Sequence, residues 1–517
     1  MEHRTDRTRG RRRRGGALVA AALAGGLLLT GCGASDTDGM SSTEDKRMPA
    51  VGSGGAQGGP AASVAPDDER RDMSDNRSTF ALDVDTASYG YARRTLADGR
   101  LPEPDTVRPE EFVNSFRQGY RRPDGNGFSV TVDGARSGAD GWRLMRVGLA
   151  TAQASASGER PPAALTFVID ISGSMAEPGR LDLVKESLGT LTDQLGADDS
   201  IAVVTFSDEA ETVLPMTRLG ARDGAARDRV HRAVDRLEPT DSTNLDAGIR
   251  TGYDTAVEGV REGATNRVVL LSDALANTGE TDADAILERI GDARREHGIT
   301  LFGVGVGSDY GDALMERLAD KGDGHTTYVS TPADARKVFV DQLPANVQLR
   351  ARDAKAQVVF DRENVTDFRL LGYENRRVAD DDFRDDTVDG GEIGPGHTVT
   401  ALYAVKVREG AEGRVAEATV RWLDPESRAP RERSGTVSAA ALDRPLWSEA
   451  TPPRLRLSAA AAYFAHRLGG SGATPFPGEP SLDRLAAHVR ELGASTEDPD
   501  VQDLAEAIEE AEGLRRA

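Results

Sequence analysis

The sequence predicts an α/β domain built on a doubly wound, mostly parallel sheet, flanked by a β-sandwich-like domain and a C-terminal helical region. Three observations carry this prediction. From residue 161 to 345, short apolar runs alternate with amphipathic helical segments. On both sides of that stretch lie runs in which apolar and polar residues alternate, as half-buried strands do. After residue 451, Ala- and Leu-rich segments broken at Gly469, Gly493 and Pro499 read as helices. A chain of 517 residues has room for several such domains. Its formal charge of −22 makes it a poor nucleic-acid binder and gives it no electrostatic help at an anionic lipid surface.

In chain order, Arg4 to Arg14 is a basic region, Ala17 to Leu29 an apolar one, and Leu29, Thr30, Gly31 and Cys32 close it. This ending resembles a bacterial lipobox. The resemblance implies a signal peptide over 1–31, cleavage before Cys32, and a lipid on its thiol that holds the protein at the extracytoplasmic face of the cell membrane. Cys32 is the only cysteine, so disulfides are excluded. Residues 32–77 are rich in Gly, Ser, Ala, Asp and Pro with almost no large apolar side chain, too little to bury for a fold. They predict a tether.

Order is expected to resume at Ser78, with a short strand to Leu82 and a helix through Tyr91 and Leu96. Asp83, Asp85 and Thr86 between them read as a helix start rather than a metal cluster. Pro109 opens another helix to Phe116, and Phe128 to Val132 and Trp142 to Leu149 alternate as strands. Two strands alone are seldom stable. Their partners are expected beyond the central domain, at Ala356 to Phe360, Phe368 to Leu371, Thr398 to Val407 and Ala416 to Trp422. Residues 78–160 and 346–450 then form one β-sandwich interrupted by the α/β domain.

Within 161–345, Leu165 to Ile169 form an unbroken apolar or β-branched run, the mark of a parallel strand covered on both faces. Helices are expected at Leu181 to Leu195, Ala225 to Leu237, Asp246 to Val260, Ala283 to His297, Ala313 to Asp320 and Pro332 to Gln342. Strands are expected at Ile201 to Phe206, Thr212 to Met216, Val268 to Ser272, Thr300 to Val306 and Thr326 to Val329, with Pro215 confining the second of these to an edge. The first strand ends in Asp170, Ser172 and Ser174 with Gly173 permitting a turn, and another ends in Asp273; Thr243 opens a helix between them. Carboxyl ends of parallel strands are where such sheets place ligands. Only hard oxygen donors are offered, which suits Mg²⁺ or Mn²⁺ rather than Zn²⁺.

Asp-x-Ser-x-Ser, then Thr, then Asp, in that order on alternating strands and helices, resembles the von Willebrand factor type A (VWA) domain with its metal-ion-dependent adhesion site. The resemblance implies a Rossmann-like fold and assigns the metal to Asp170, Ser172, Ser174, Thr243 and Asp273. It also implies an open coordination position that a partner's carboxylate takes. Ala274 and Leu275 depart from the Gly and acidic residue that often follow the last Asp, and Asp241 and Ser242 replace a common Gly pair. Asp241 adds charge close to the cation.

Residues 361–392 are crowded with acids, which read as solvated surface. Arg369 to Arg376 and Gly394 to Tyr403, with Ser78 to Ser88 and Leu101 to Arg108, are similar to the flanks of YfbK-type bacterial lipoproteins. That likeness covers nearly all of the chain from Ser78 onward. Function therefore reads as a lipid-anchored binding protein whose metal site grips a carboxylate on a protein or envelope partner. Two rival classes are a Mg²⁺-dependent hydrolase and an assembly factor that uses the central domain as a rigid module. Hydrolysis normally needs carboxylate-rich ligation and a positioned base, whereas the seven His are scattered and neither His-Glu-x-x-His nor Gly-x-Ser-x-Gly occurs. A binding module is the favoured reading.

Overall fold

The computed structural model describes residues 75–138, 140–153, 160–222, 224–240, 242–273, 280–307, 312–322, 324–342, 349–425, 427–469, 476–496 and 498–516. The signal segment, Cys32, the tether up to residue 74, Asp241 and residues 274–279 lie outside them.

The chain begins with β1 (Arg77–Ala81), α1 (Ala87–Ala97), α2 (Pro109–Asn114), β2 (Phe128–Arg136) and β3 (Trp142–Thr151). The α/β domain follows: β4 (Ala163–Asp170), α3 (Leu181–Gln194), β5 (Ser200–Phe206), β6 (Ala210–Arg218), α4 (Ala225–Asp235), α5 (Leu245–Glu258) and β7 (Thr265–Ser272). It continues through α6 (Glu280–His297), β8 (Thr300–Val306), α7 (Asp312–Lys321), β9 (His325–Val329) and α8 (Pro332–Arg336). Its sheet runs β6-β5-β4-β7-β8-β9, parallel except for β6. β4, β5 and β8 are buried along their whole length, which is why their sequences are apolar runs rather than alternations. Leu181, Leu188, Val230 and Val234 of α3 and α4 cover one face; Ile249, Tyr253, Ile290 and Leu318 of α5, α6 and α7 cover the other. Helix α8 is shorter than expected, because residues Lys337–Gln342 continue it as a π-helical turn.

Helix α5 lies unusually close to the sheet. A Cβ on Gly252 would sit 2.3 Å from Val168 Cγ2, and one on Gly248 would sit 2.6 Å from Phe206 Cδ1. The two glycines thus set the height of α5, and of the loop before it, above β4 and β5.

The sandwich adds β10 (Ala351–Phe360), β11 (Val365–Leu371), β12 (Gly391–Ile393), β13 (Thr398–Val407), β14 (Arg414–Leu423) and β15 (Pro430–Ser438). One sheet is β1-β10-β14-β15 with β12 on β10; the other is β11-β13-β3-β2. Strand β3 pairs antiparallel with β13 from Ala150 opposite Thr398 to Trp142 opposite Lys406. Strands on either side of the α/β domain therefore share one sheet, as their separate inability to close a core requires. Phe80, Val358, Tyr403, Val405 and Trp422 belong to the core between the sheets. β15 escaped the sequence reading because it is an exposed edge strand, charged at Arg431, Glu432 and Arg433, with no apolar alternation to betray it.

The tail forms α9 (Pro453–Leu468), α10 (Leu482–Thr496) and α11 (Pro499–Arg516). These helices do not stand apart: with α1 and α2 they cover the outer face of the β11-β13-β3-β2 sheet, where Phe112, Phe116 and Phe464 meet Leu144, Leu402 and Ala404. Along β13 the side chains alternate accordingly, Tyr403 and Val405 toward the sandwich core, Leu402 and Ala404 toward the helices.

Helix α1 starts directly after Thr86, as expected, although no side chain caps it. Asp83 and Asp85 neither cap α1 nor cluster as bare oxygens: both pair with Arg376, at 3.0 and 3.2 Å, and Asp85 also accepts from the Thr326 N–H of β9 at 2.7 Å. The acid-rich segment is solvated surface as expected, with Asp381, Asp385, Asp386 and Asp389 exposed, and ion pairs tie it to its neighbours. Asp381 pairs with Arg77, Asp386 with Arg421 and Asp389 with Arg294 of α6.

Candidate functional site

Strands β4 and β7 lie side by side and parallel, so their carboxyl ends deliver Asp170 and Asp273 to the same edge of the sheet. Asp170 is fully buried. Its Oδ1 accepts the Ser172 N–H at 2.8 Å and its Oδ2 accepts the Ser272 hydroxyl at 2.6 Å. Beyond Ser172, the turn Gly173–Ala176 brings the Ser174 hydroxyl 3.1 Å from that of Ser172 and lets it donate to Asp273 Oδ1 at 3.0 Å. Four of the five expected residues thus form one connected cluster of oxygens.

Thr243 is half-buried in the loop before α5, and its hydroxyl makes no hydrogen bond among the described residues. The loop is nonetheless pinned at both ends to the same edge of the sheet. Thr240 N–H donates to Ile171 O at 2.6 Å, and Asn244 N–H donates to Ser207 O at 2.5 Å. Asn244 also caps α5, its side chain accepting from Ala247 N–H.

The electrostatics of the two carboxylates differ. Burial, with the Asp273 charge added, pushes the Asp170 carboxyl above the ordinary carboxylate range, against the donors Ser272 and Ser172. Those donors are neutral, and no cationic side chain bonds to Asp170 among the described residues. Asp273 has a cation. Arg180, buried just before α3, donates to Asp273 Oδ2 through Nη1 and to Glu177 Oε2 through Nη2 at 2.6 Å.

Ser272 and Arg180 escaped the sequence reading. Ser272 sits directly before Asp273 at the strand end, a position that could have signalled it; Arg180, beside Gly179 in a loop, gave no sign of burial. Among the described residues no three His, Cys, Asp or Glu side chains converge as a metal-ligand group. The donor set is instead two carboxylates with hydroxyls, oxygen throughout, and its chemistry suits a hard divalent cation. The departures at Asp241, Ala274 and Leu275 lie outside the described residues.

The von Willebrand factor type A domain model matches residues 164–341, and a model described as the C-terminal part of uncharacterized protein YfbK matches residues 345–510. A von Willebrand factor model matches residues 63–144. The chain is 33% identical over 420 residues to "Uncharacterized protein YfbK" of Escherichia coli K12, covering 76% of this chain and 71% of that one. It is 29% identical over 198 residues to an uncharacterized Synechocystis protein, covering 38% of this chain and 44% of the relative. Among solved structures, a von Willebrand factor type A protein from Catenulispora acidiphila aligns over 75% of this chain and 91% of its own, at 17% identity and a TM-score of 0.46.

Proposed function

Because the chain belongs to the YfbK family of proteins with a von Willebrand factor type A domain, we propose that it is a lipid-anchored binding protein of the extracytoplasmic membrane face. In this reading Asp170, Ser172, Ser174, Thr243 and Asp273 hold Mg²⁺ or Mn²⁺, and the site grips an acidic group on a protein or envelope partner. The observation that carries the reading is Asp170, a wholly buried carboxylate served, among the described residues, only by neutral donors. An uncompensated buried carboxylate costs several kcal/mol. A divalent cation supplies the missing charge and, with few charged ligands around it, keeps a position for an outside anion.

Each side chain then has a task. Ser272 and the Ser172 N–H fix the two oxygens of Asp170, so the carboxylate is oriented before any ligand arrives. Ser172 and Ser174 present hydroxyls that hydrogen-bond to each other. Thr243 is carried on a loop whose ends are already fixed. Membrane attachment through Cys32 would place this edge in reach of envelope partners.

Calorimetric titration of Mg²⁺ into the wild type and Asp170→Ala tests the reading. Wild type should give saturable heats and the variant none; equal heats from both end the metal assignment. Chelator that abolishes turnover of a small substrate, with no bound partner found, would replace the binding role by a hydrolytic one.

A further inference from the structure

The charge count at the proposed site does not close on the five oxygen residues alone. Two carboxylates already neutralise a divalent cation, and such a site has no net charge left with which to attract a partner's acid. Arg180 changes the sum. Arg180 is 2% exposed and donates to Asp273 Oδ2, while Asp273 Oδ1 receives Ser174. It is also seated rather than merely nearby. Gly307, at the end of β8 with φ of +83°, leaves the space it needs, since a Cβ there would lie 2.6 Å from Arg180 Nε. Nη2 meets Glu177, which is 64% exposed and therefore screened by solvent.

We propose that Arg180 is a built-in counter-cation that sets the charge of this site: it cancels Asp273, so that a bound divalent cation retains one net positive charge and takes one carboxylate to reach neutrality. The inference rests on the metal reading above and deepens it. Among the described residues the buried charged groups of the site, Asp170, Asp273 and Arg180, sum to one negative charge before the metal and one positive charge after it. The same residue weakens metal binding, because the guanidinium repels the cation through a poorly solvated space. Affinity for the metal is traded for affinity for the acid. Arginine suits the role better than lysine, being permanently charged and held by a fixed fork of donors.

The experiment is a Mg²⁺ titration by calorimetry on the wild type, Arg180→Gln and Arg180→Lys, with folding checked by circular dichroism. Arg180→Gln should bind Mg²⁺ on the order of tenfold tighter, because the repelling charge is gone. Arg180→Lys keeps the charge and should stay within about threefold of wild type. A wild type that takes up no Mg²⁺ overturns the metal reading and this proposal with it. A wild type that binds while Arg180→Gln binds no tighter overturns the Arg180 assignment alone. Should Arg180→Gln not fold, the wild type decides: its Arg180 Nε–H resonance, identified by its loss in Arg180→Lys, should be bleached by Mn²⁺ and survive Mg²⁺. A resonance that keeps its intensity with Mn²⁺ bound places the guanidinium away from the metal and ends the proposal.

Discussion

Glu110 gives the sandwich and its helical layer a pH dependence that can be worked out in advance. It lies in the first turn of α2, 2% exposed, with no hydrogen-bond partner for Oε2 among the described residues. The site is closed, for a Cβ on Gly372 would fall 2.1 Å from that oxygen. Burial, with Glu374 and Asp83 adding negative charge, pushes the carboxyl from its ordinary 4.5 up to about 8. Below pH 4.5 the carboxyl is protonated folded or unfolded, and its favourable state costs the fold nothing. As pH rises past that value the unfolded chain releases the proton while the folded one keeps it, so stability falls until about pH 8. At ~1.4 kcal/mol per pH unit, the span from pH 5 to pH 8 costs about 4 kcal/mol. Glu110→Gln should remove most of that slope and leave the variant more stable than wild type at pH 8. Urea melts at the two pH values followed by tryptophan fluorescence are the assay, because Trp142, Trp422 and Trp447 all lie outside the α/β domain and report only on these layers. Parallel pH dependences in wild type and variant would refute the reasoning.

Three further outcomes are expected. Arg376→Ala removes the guanidinium shared by Asp83 and Asp85, whose side chains are 3% and 0% exposed, and should cost about 3–5 kcal/mol in a thermal melt; a loss under about 1 would show the pair to be solvated. Gly252→Ala forces α5 off Val168, so despite about 1 kcal/mol gained in helix propensity it should lower stability by a net 1–2 kcal/mol, roughly, and weaken Mg²⁺ uptake through the displaced Thr243 loop; a stabilised variant refutes the close approach. Cys32→Ala should leave the protein unprocessed or released into the soluble fraction on immunoblotting, and a cleaved form that still partitions with membranes would sink the anchor.

The sequence disclosed whatever was written in apolar patterning. β4, β5 and β8 were legible because burial on both faces demands an unbroken apolar run, and β13 because its two faces meet two different cores. Pairing across the inserted domain was legible from a deficit, since β2 and β3 had no partner of their own. β15 was not legible, for it pairs with β14 through backbone bonds and leaves most of its side chains in water, Val437 apart. The start of α9 at Pro453 was not legible, because Arg454 and Arg456 interrupt the apolar pattern although Arg456 is buried.

The same blind spot explains the site. Asp170, Ser172, Ser174 and Asp273 could be read because a strand that ends in oxygen donors is chemically conspicuous, and the structure joins all four. What could not be read is which charges leave solvent. Arg146, Arg180, Arg227 and Arg267 are all buried, yet a lone arginine in sequence is indistinguishable from a surface one. Burial of a charge is decided by its partner, and the partners here are remote: Asp273 for Arg180, ninety-three positions away, and the Thr192 and Leu195 carbonyls for Arg227. A ligand count taken from sequence therefore identifies the oxygens of the site but not its net charge, and net charge is what determines whether a bound cation still needs an acid from outside.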